Sequence, residues 1–73
     1  MDKQEILKNF GLKLKIYRTA KNLSQDDLSA ETGFSKPYIS NVENGKHNIS
    51  LVNAVQLAEF FGKSINDMLN GDI

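Results

Sequence analysis

The stretch SQDDLSAETGFSKPYISNVENG, residues 24–45, carries the local signals that decide the fold. It predicts one helix from about residue 25 to about residue 32 and a second from about residue 36 to about residue 44. Gly33 stands between them and adopts a positive φ without steric cost, so the connecting turn is tight. The two helices therefore lie close together across a short connection.

The second of these helices has two faces of different character. Ile39 and Val42, three residues apart, form the apolar face. The opposite face carries small and amide-bearing side chains with one lysine: Lys36, Pro37, Ser40, Asn41 and Asn44. Such side chains suit base edges better than they suit a core. The layout is that of a helix-turn-helix, whose second helix lies in the major groove of DNA.

Capping signals outside this stretch predict three further helices. Helix 1 covers about residues 3 to 21 and ends at Asn22, which tolerates the left-handed conformation. Helix 4 stops at Gly62, and a short helix 5 covers Ile65–Leu69 before a turn at Asn70-Gly71. Serine N-caps are expected before helices 2 to 5: Ser24, Ser35, Ser50 and Ser64. The predicted core positions of helix 4 are Leu51, Ala54, Leu57, Ala58 and Phe61.

No segment shows a sustained period of two, so strands are not expected. The fold class is therefore all-α, with five helices in a single domain over residues 1–73. The longest apolar runs are two residues, which excludes a membrane span, and the N-terminus lacks the apolar stretch of a signal peptide. We expect a cytoplasmic protein.

The composition argues against an enzyme and against bound cofactors. The chain has no cysteine and one histidine, so neither a disulfide nor a metal site is expected. Asp26 and Asp27 are adjacent and cannot face each other as an acid/base pair. No glycine-rich phosphate loop follows a strand, and so small a chain has no room for a ligand domain. We expect no catalytic residues, no metal, no cofactor and no small-molecule ligand.

The net charge is zero, but the charges are unevenly spread. Residues 1–21 hold six basic and two acidic side chains, whereas residues 22–33 hold three acidic ones and no basic one. Residues 34–48, which include the predicted DNA-facing helix, carry two lysines and one glutamate. So few lysines near the nucleic acid predict modest affinity per monomer and a shallow salt dependence.

The strings LSQDDLSAETG, SKPYISNVENGK and SINDMLNGD resemble the helix-turn-helix family of phage repressor and Cro proteins, also called Xre-like. The resemblance extends from Phe10 to Gly71. It implies a compact five-helix, lambda-repressor-like domain. It also implies a sequence-specific regulator of transcription that binds double-stranded DNA.

The resemblance also assigns roles to individual residues. It places base-contacting residues at Lys36, Pro37 and Asn41, and Tyr38 and Ser40 are further candidates for base reading. Lys36 has the alternative of a solvated surface lysine or a phosphate contact. Pro37 departs from the more usual polar residue and offers only apolar contact, for example to a thymine methyl group. Tyr38 has two alternatives, either a hydrogen bond from its hydroxyl to a phosphate or a ring lying flat on the domain edge with its hydroxyl in water. The proposed phosphate contacts, which set register, are Ser24, Gln25, Ser35, Asn44, Lys46, His47 and Asn48.

Two charged residues are expected to be structural. In similar repressors, the residues that match Arg18 and Glu43 form a largely buried ion pair between helix 1 and the recognition helix. Gln25 also has a structural alternative, in which it only covers the end of helix 2.

One recognition helix reads only about four base pairs, so such proteins usually pair on two half-sites. Five helices cannot bury every apolar residue of this chain, and Leu12, Ile16 and Ile73 are among those left over. We expect a symmetric homodimer through helices 4 and 5, with Phe60 or Ile65 near its centre. The candidate interface residues are Val52, Val55, Phe60, Ile65 and Met68. The alternative is that Val55 and Met68 are ordinary core and the others are scattered exposed residues.

Three functions remain open from the sequence. The first is a small autoregulator, either a restriction-modification controller or a phage-type repressor. The second is an antitoxin that represses its own operon and also binds a toxin. The third is a protein-interaction module of the same fold that has lost DNA binding, which the neutral charge and Pro37 favour.

Overall fold

The computed structural model describes residues 1–70 and consists of five helices joined by short loops. The helices are α1 (Lys3–Ala20), α2 (Gln25–Thr32), α3 (Lys36–Glu43), α4 (Leu51–Phe60) and α5 (Ile65–Leu69). The predicted all-α, five-helix architecture is confirmed, and residues 1–70 contain no strand. Gly71 of the expected terminal turn, and Ile73, lie outside the described residues. Over residues 1–70, none of the helices combines the length and the apolar character that crossing a bilayer requires.

Each helix begins at an N-cap whose side-chain oxygen accepts a hydrogen bond from the third residue of the helix. The caps are Asp2, Ser24, Ser35, Ser50 and Ser64. The four serine caps match the sequence prediction, because capping depends on residues only three positions apart. Asn22, with φ 59°, follows α1, and Gly33, with φ 83°, follows α2. Left-handed residues therefore end both helices that precede α3 in the chain.

The interior takes one fully buried side chain from every helix. These side chains are Leu14, Leu28, Ile39, Leu57 and Met68, each with 0% of its surface exposed. The burial of Met68 corrects its assignment to a dimer interface, because a side chain sealed inside the monomer offers no area to a partner. Met68 is instead ordinary core, which was the alternative for this residue.

The predicted core position Leu51 is also corrected, since 73% of its surface is exposed. It is the first residue of α4 and borders a surface groove, while Ala54, Leu57 and Ala58 on the same helix are buried. Periodicity identifies which face of a helix points inward. It does not say how far along the helix neighbouring elements cover that face.

The crossing of α1 and α3 depends on Gly11, which sequence reasoning did not single out. A Cβ atom at this position would lie 2.3 Å from the carbonyl oxygen of Val42 and 2.6 Å from that of Glu43. These distances are well inside van der Waals contact, so only glycine permits the observed approach of the two backbones. Gly11 thus holds α3 close against α1.

Candidate nucleic-acid interface

The outward face of α3 is exposed to solvent. Lys36, Pro37 and Asn41 are exposed and Ser40 is half-buried. On the inward side of the same helix, Ile39 and Val42 are 0% and 2% exposed. The polar face predicted from the sequence, which also includes the exposed Asn44, therefore presents one cation, two amides, one hydroxyl and one proline ring to solvent. This set can donate to and accept from base edges in a major groove.

The N-terminus of α2 lies beside this face and contains a complete capping box. The Ser24 amide donates to Asp27 Oδ2 at 2.9 Å, and the Asp27 amide donates to Ser24 Oγ at 2.9 Å. The pKa of the Asp27 carboxyl lies below its ordinary value, chiefly because the Ser24 backbone amide donates to it and secondly because the Ser24 hydroxyl also interacts with it. The amides of Gln25 and Asp26 stand in the first turn of the helix and lack an intrahelical acceptor. They form a candidate anion site.

The side chain of Gln25 points toward the α1–α3 junction. Its Nε2 donates to Oε1 of Glu43 at 3.1 Å. The amide group of Gln25 therefore links the start of α2 to the end of α3. Its structural role goes beyond the alternative in which it only covers the end of α2. A contact from this side chain to a phosphate stays a prediction, and the backbone amides are the better placed donors.

Arg18 and Glu43 form the ion pair that the resemblance implies. Arg18 Nε lies 2.6 Å from Glu43 Oε2, and Arg18 Nη2 lies 3.0 Å from Oε1, so the pair is bidentate. The two side chains are 10% and 3% exposed. A third nitrogen, Nη1, donates to the carbonyl oxygen of Leu23 at 2.8 Å. The hydrogen bond to Glu43 raises the pKa of Arg18 above its ordinary value.

The ring of Tyr38 packs on the domain, as in the second of its two alternatives. It stacks on Phe34 with centroids 5.2 Å apart and meets the edge of His47 at 4.6 Å. Its hydroxyl oxygen accepts a hydrogen bond from Asn53 Nδ2 at 3.0 Å, which ties α3 to α4. The hydroxyl proton is not used in that bond. Tyr38 is therefore placed to support α3 and to donate at the edge of the site.

The loop after α3 folds back on the helix and presents polar side chains. The amide of Gly45 donates to Val42 and that of Lys46 donates to Asn41, at 3.0 and 2.9 Å. Because the Lys46 amide is used in this way, the side chain of Lys46 is its remaining donor for the predicted phosphate contact. The four predicted phosphate contacts of this region are all exposed: Asn44, Lys46, His47 and Asn48.

Two lysines of α1 lie close to this region, and sequence reasoning did not assign them to the site. Lys8 and Lys15 line a surface recess of about 360 Å³ together with Asn44. They add positive charge beside a predicted phosphate contact. The excess of basic residues in the first 21 positions was the signal in the sequence, but only the fold shows which of those lysines approach α3.

Comparison with known proteins gives independent support for the helix-turn-helix assignment. A sequence profile of the helix-turn-helix family matches residues 14–68. An uncharacterized HTH-type transcriptional regulator of Methanocaldococcus jannaschii is 45% identical over 56 residues, which are 77% of this chain and 85% of that protein. Control protein C.MunI from a Mycoplasma species is 37% identical over 62 residues, which are 84% of each chain.

Among solved structures, the restriction-modification controller protein C.AhdI from Aeromonas hydrophila superposes with a TM-score of 0.76 at 39% identity. The match covers 85% of this chain and 94% of that one. The chain therefore belongs to the phage repressor and Cro-like (Xre-type) helix-turn-helix family, a family of DNA-binding transcriptional regulators.

Proposed function

We propose that this protein regulates transcription as a homodimer that binds a palindromic duplex, with α3 of each copy in a major groove. The observation that carries the proposal is the exposed polar face of α3, whose opposite face is buried and fastened to α1. Since the target is DNA, the cytoplasm is the proposed place of action.

Base reading is assigned to three exposed side chains of α3. Lys36 donates to guanine O6 or N7, and Asn41 makes a bidentate contact to adenine. Pro37 has no donor and offers its ring to a thymine methyl group. Ser40, which is half-buried, is a fourth candidate. Tyr38 is better placed to support α3 than to read a base, because its ring packs against Phe34 and His47.

Phosphate contacts are proposed at two ends of the site, where they set the register of α3. One group gathers around the starts of α2 and α3, and consists of the Ser24 and Ser35 side chains and the first-turn amides of α2, including that of Gln25. The other lies in the loop after α3 and consists of Asn44, Lys46, His47 and Asn48. Phosphates bound at both ends would fix the orientation of α3 in the groove.

The dimer is proposed to form around the N-terminal end of α4. Leu51 and Val52 are 73% and 66% exposed, and Leu51 borders a groove of about 240 Å³. Its apolar lining includes Ile6, Ile65 and Leu69. Val52 and Ile65 thus stay in the proposed interface, and Val55 stays as a half-buried neighbour.

The structure favours a place for Phe60 at the edge of the proposed dimer surface, not at its centre. Its ring packs edge-on against Phe61 with centroids 4.9 Å apart, and the Lys21 ammonium lies 5.8 Å from its centroid. It also stands at the last residue of α4, the opposite end from Leu51. The centre of the interface is therefore assigned to Val52 and Ile65 and not to Phe60.

Sedimentation tests the dimer. Val52→Asp places a carboxylate at the proposed centre and should leave a folded monomer, whereas the wild type dimerises. Leu12→Asp is the control, because Leu12 is also an exposed apolar residue, at 41%, but lines a different recess. A wild-type protein that stays monomeric at high micromolar concentration, with and without DNA, would contradict the proposal.

Selection of bound duplexes from a random pool tests the DNA-binding role. We expect a palindrome whose halves are about 10 base pairs apart, or a multiple of that spacing. Asn41→Ala should cost about 1–3 kcal/mol at the selected site and relax preference at one position. Lys46→Ala should weaken all sequences alike and reduce the salt slope by about one. A pool without any enriched motif would refute sequence-specific binding.

A narrower function is favoured by two of the relatives. The Mycoplasma protein is named as a control protein and the Aeromonas structure as a restriction-modification controller. We therefore propose the same class of target for this chain, namely an operon that encodes a restriction-modification system. A reporter driven by the promoter of the chain's own operon should respond to its expression, and the response should be lost in Asn41→Ala. An unresponsive reporter would argue against autoregulation.

A further inference from the structure

Helix α2 carries three acidic residues, and one of them faces the recognition helix. Asp27 is used in the capping box, and Glu31 lies in the last turn of α2. Asp26 takes no part in the cap. Its Oδ2 lies 3.4 Å from Nζ of Lys36, the first residue of α3. A carboxylate thus stands directly beside the ammonium group to which base reading is assigned.

Stability does not explain this pair. The two side chains are 73% and 54% exposed, and ion pairs so open to water contribute little to folding. Nor does helix capping explain Asp26, because the box at the start of α2 is complete without it. Its place in the first turn of α2 also suits the helix dipole, but the dipole does not require the contact with Lys36. That contact bears on where the Lys36 ammonium goes when DNA is bound.

Without a neighbour, an exposed lysine at this point would be drawn to the phosphate backbone, which supplies most of the attraction between proteins and DNA. A carboxylate at 3.4 Å offsets the charge of the ammonium group as seen from a phosphate and repels that phosphate itself. The ammonium keeps three donors, of which the carboxylate engages one. The other two remain for the O6 and N7 acceptors of guanine.

We propose that Asp26 is a specificity-determining positioning residue, which withholds Lys36 from the phosphate backbone and holds it for a guanine edge. The inference rests on the proposed function, because it presumes that α3 reads a duplex. It adds that discrimination at one base position depends on a residue of α2 that itself touches no base.

The test compares Asp26→Asn with Glu31→Gln, each of which removes one negative charge from α2. The affinity of both variants for a random 20-base-pair duplex is measured over a range of salt concentrations. Their affinity for the selected site is then measured with each base of that site substituted in turn. We expect Asp26→Asn to raise affinity for random duplex by about two- to fivefold. Its salt slope should steepen by about one, because the released lysine neutralises a further phosphate.

The decisive readout is base preference at the position where Lys36→Gln loses it. Asp26→Asn should reduce that preference by about threefold or more. Glu31→Gln should leave it unchanged, and so should Asp26→Asn when it is introduced into Lys36→Gln. Thermal melting of the variants should stay close to that of the wild type, which separates a positioning role from a folding role.

Three outcomes would overturn the proposal. In the first, Asp26→Asn and Glu31→Gln raise affinity alike and leave preference intact, so the wild-type motif and the proposed function stand but the inference does not. In the second, Asp26→Asn changes preference even without Lys36, which would make Asp26 itself a reader, for example of cytosine N4. In the third, the wild type shows no motif, and both the proposed function and the inference fail.

Discussion

Glu43→Gln should destabilise the protein strongly, because it removes the charge that neutralises a buried guanidinium. Glu43 accepts three hydrogen bonds, from Nε and Nη2 of Arg18 and from Nε2 of Gln25. A glutamine in its place has one oxygen and one NH₂ group. In either orientation of that amide, an N–H of Arg18 faces the NH₂ group and loses its acceptor.

The size of the effect follows from burial. The Arg18 and Glu43 side chains are 10% and 3% exposed, and removing one partner of such a pair typically costs about 3–5 kcal/mol. At about 0.05–0.15 kcal/mol per residue, a chain of 73 residues has about 4–11 kcal/mol in total. The loss is therefore a large share of the total free energy of unfolding. At about 4–8 °C per kcal/mol for a domain this small, Tm should fall by about 12–40 °C.

Circular dichroism melts and urea titrations would measure the change, with Asp26→Asn as the matched control. That variant breaks the exposed Asp26–Lys36 pair, which is worth at most about 1 kcal/mol. The two substitutions are chemically equivalent and differ mainly in the burial of the pair. A Glu43→Gln protein that melts within about 4 °C of the wild type would refute the argument from burial.

Two further predictions concern packing and pH. Gly11→Ala should destabilise by about 1–3 kcal/mol despite the better helix propensity of alanine, because its Cβ meets backbone oxygens at 2.3 and 2.6 Å. An unchanged or raised Tm for Gly11→Ala would contradict the close approach. Asp27 and Asp67 have pKa values below the ordinary 3.8, chiefly because the Ser24 and Ser64 backbones donate to them. Their contribution is complete above the unfolded pKa and is lost as pH falls through the folded one, so wild-type Tm should drop as the pH falls from about 5 to below 3.8. The variant carrying both Asp27→Asn and Asp67→Asn should lose less over that range, and equal losses would argue against the two boxes as the source.

Local chemistry made the helices and the outward face of α3 predictable. A serine cap and a glycine after the last turn act within one or two turns of chain, and α2 adds an aspartate three residues after its cap. The pattern of residues 24–45 therefore suffices to place α2 and α3. The three-residue spacing of Ile39 and Val42 then decides which side of α3 is buried.

Contacts between residues far apart in the chain were decided only by the tertiary structure. Leu51 has the periodicity of a core residue but is exposed, and Met68 was assigned to a surface but is sealed inside. The bond from Gln25 to Glu43 and the proximity of Asp26 to Lys36 arise from the angle at which α2 meets α3. Periodicity orients each helix about its own axis, whereas packing sets the distances and crossing angles between helices, and these bring the side chains of the site together.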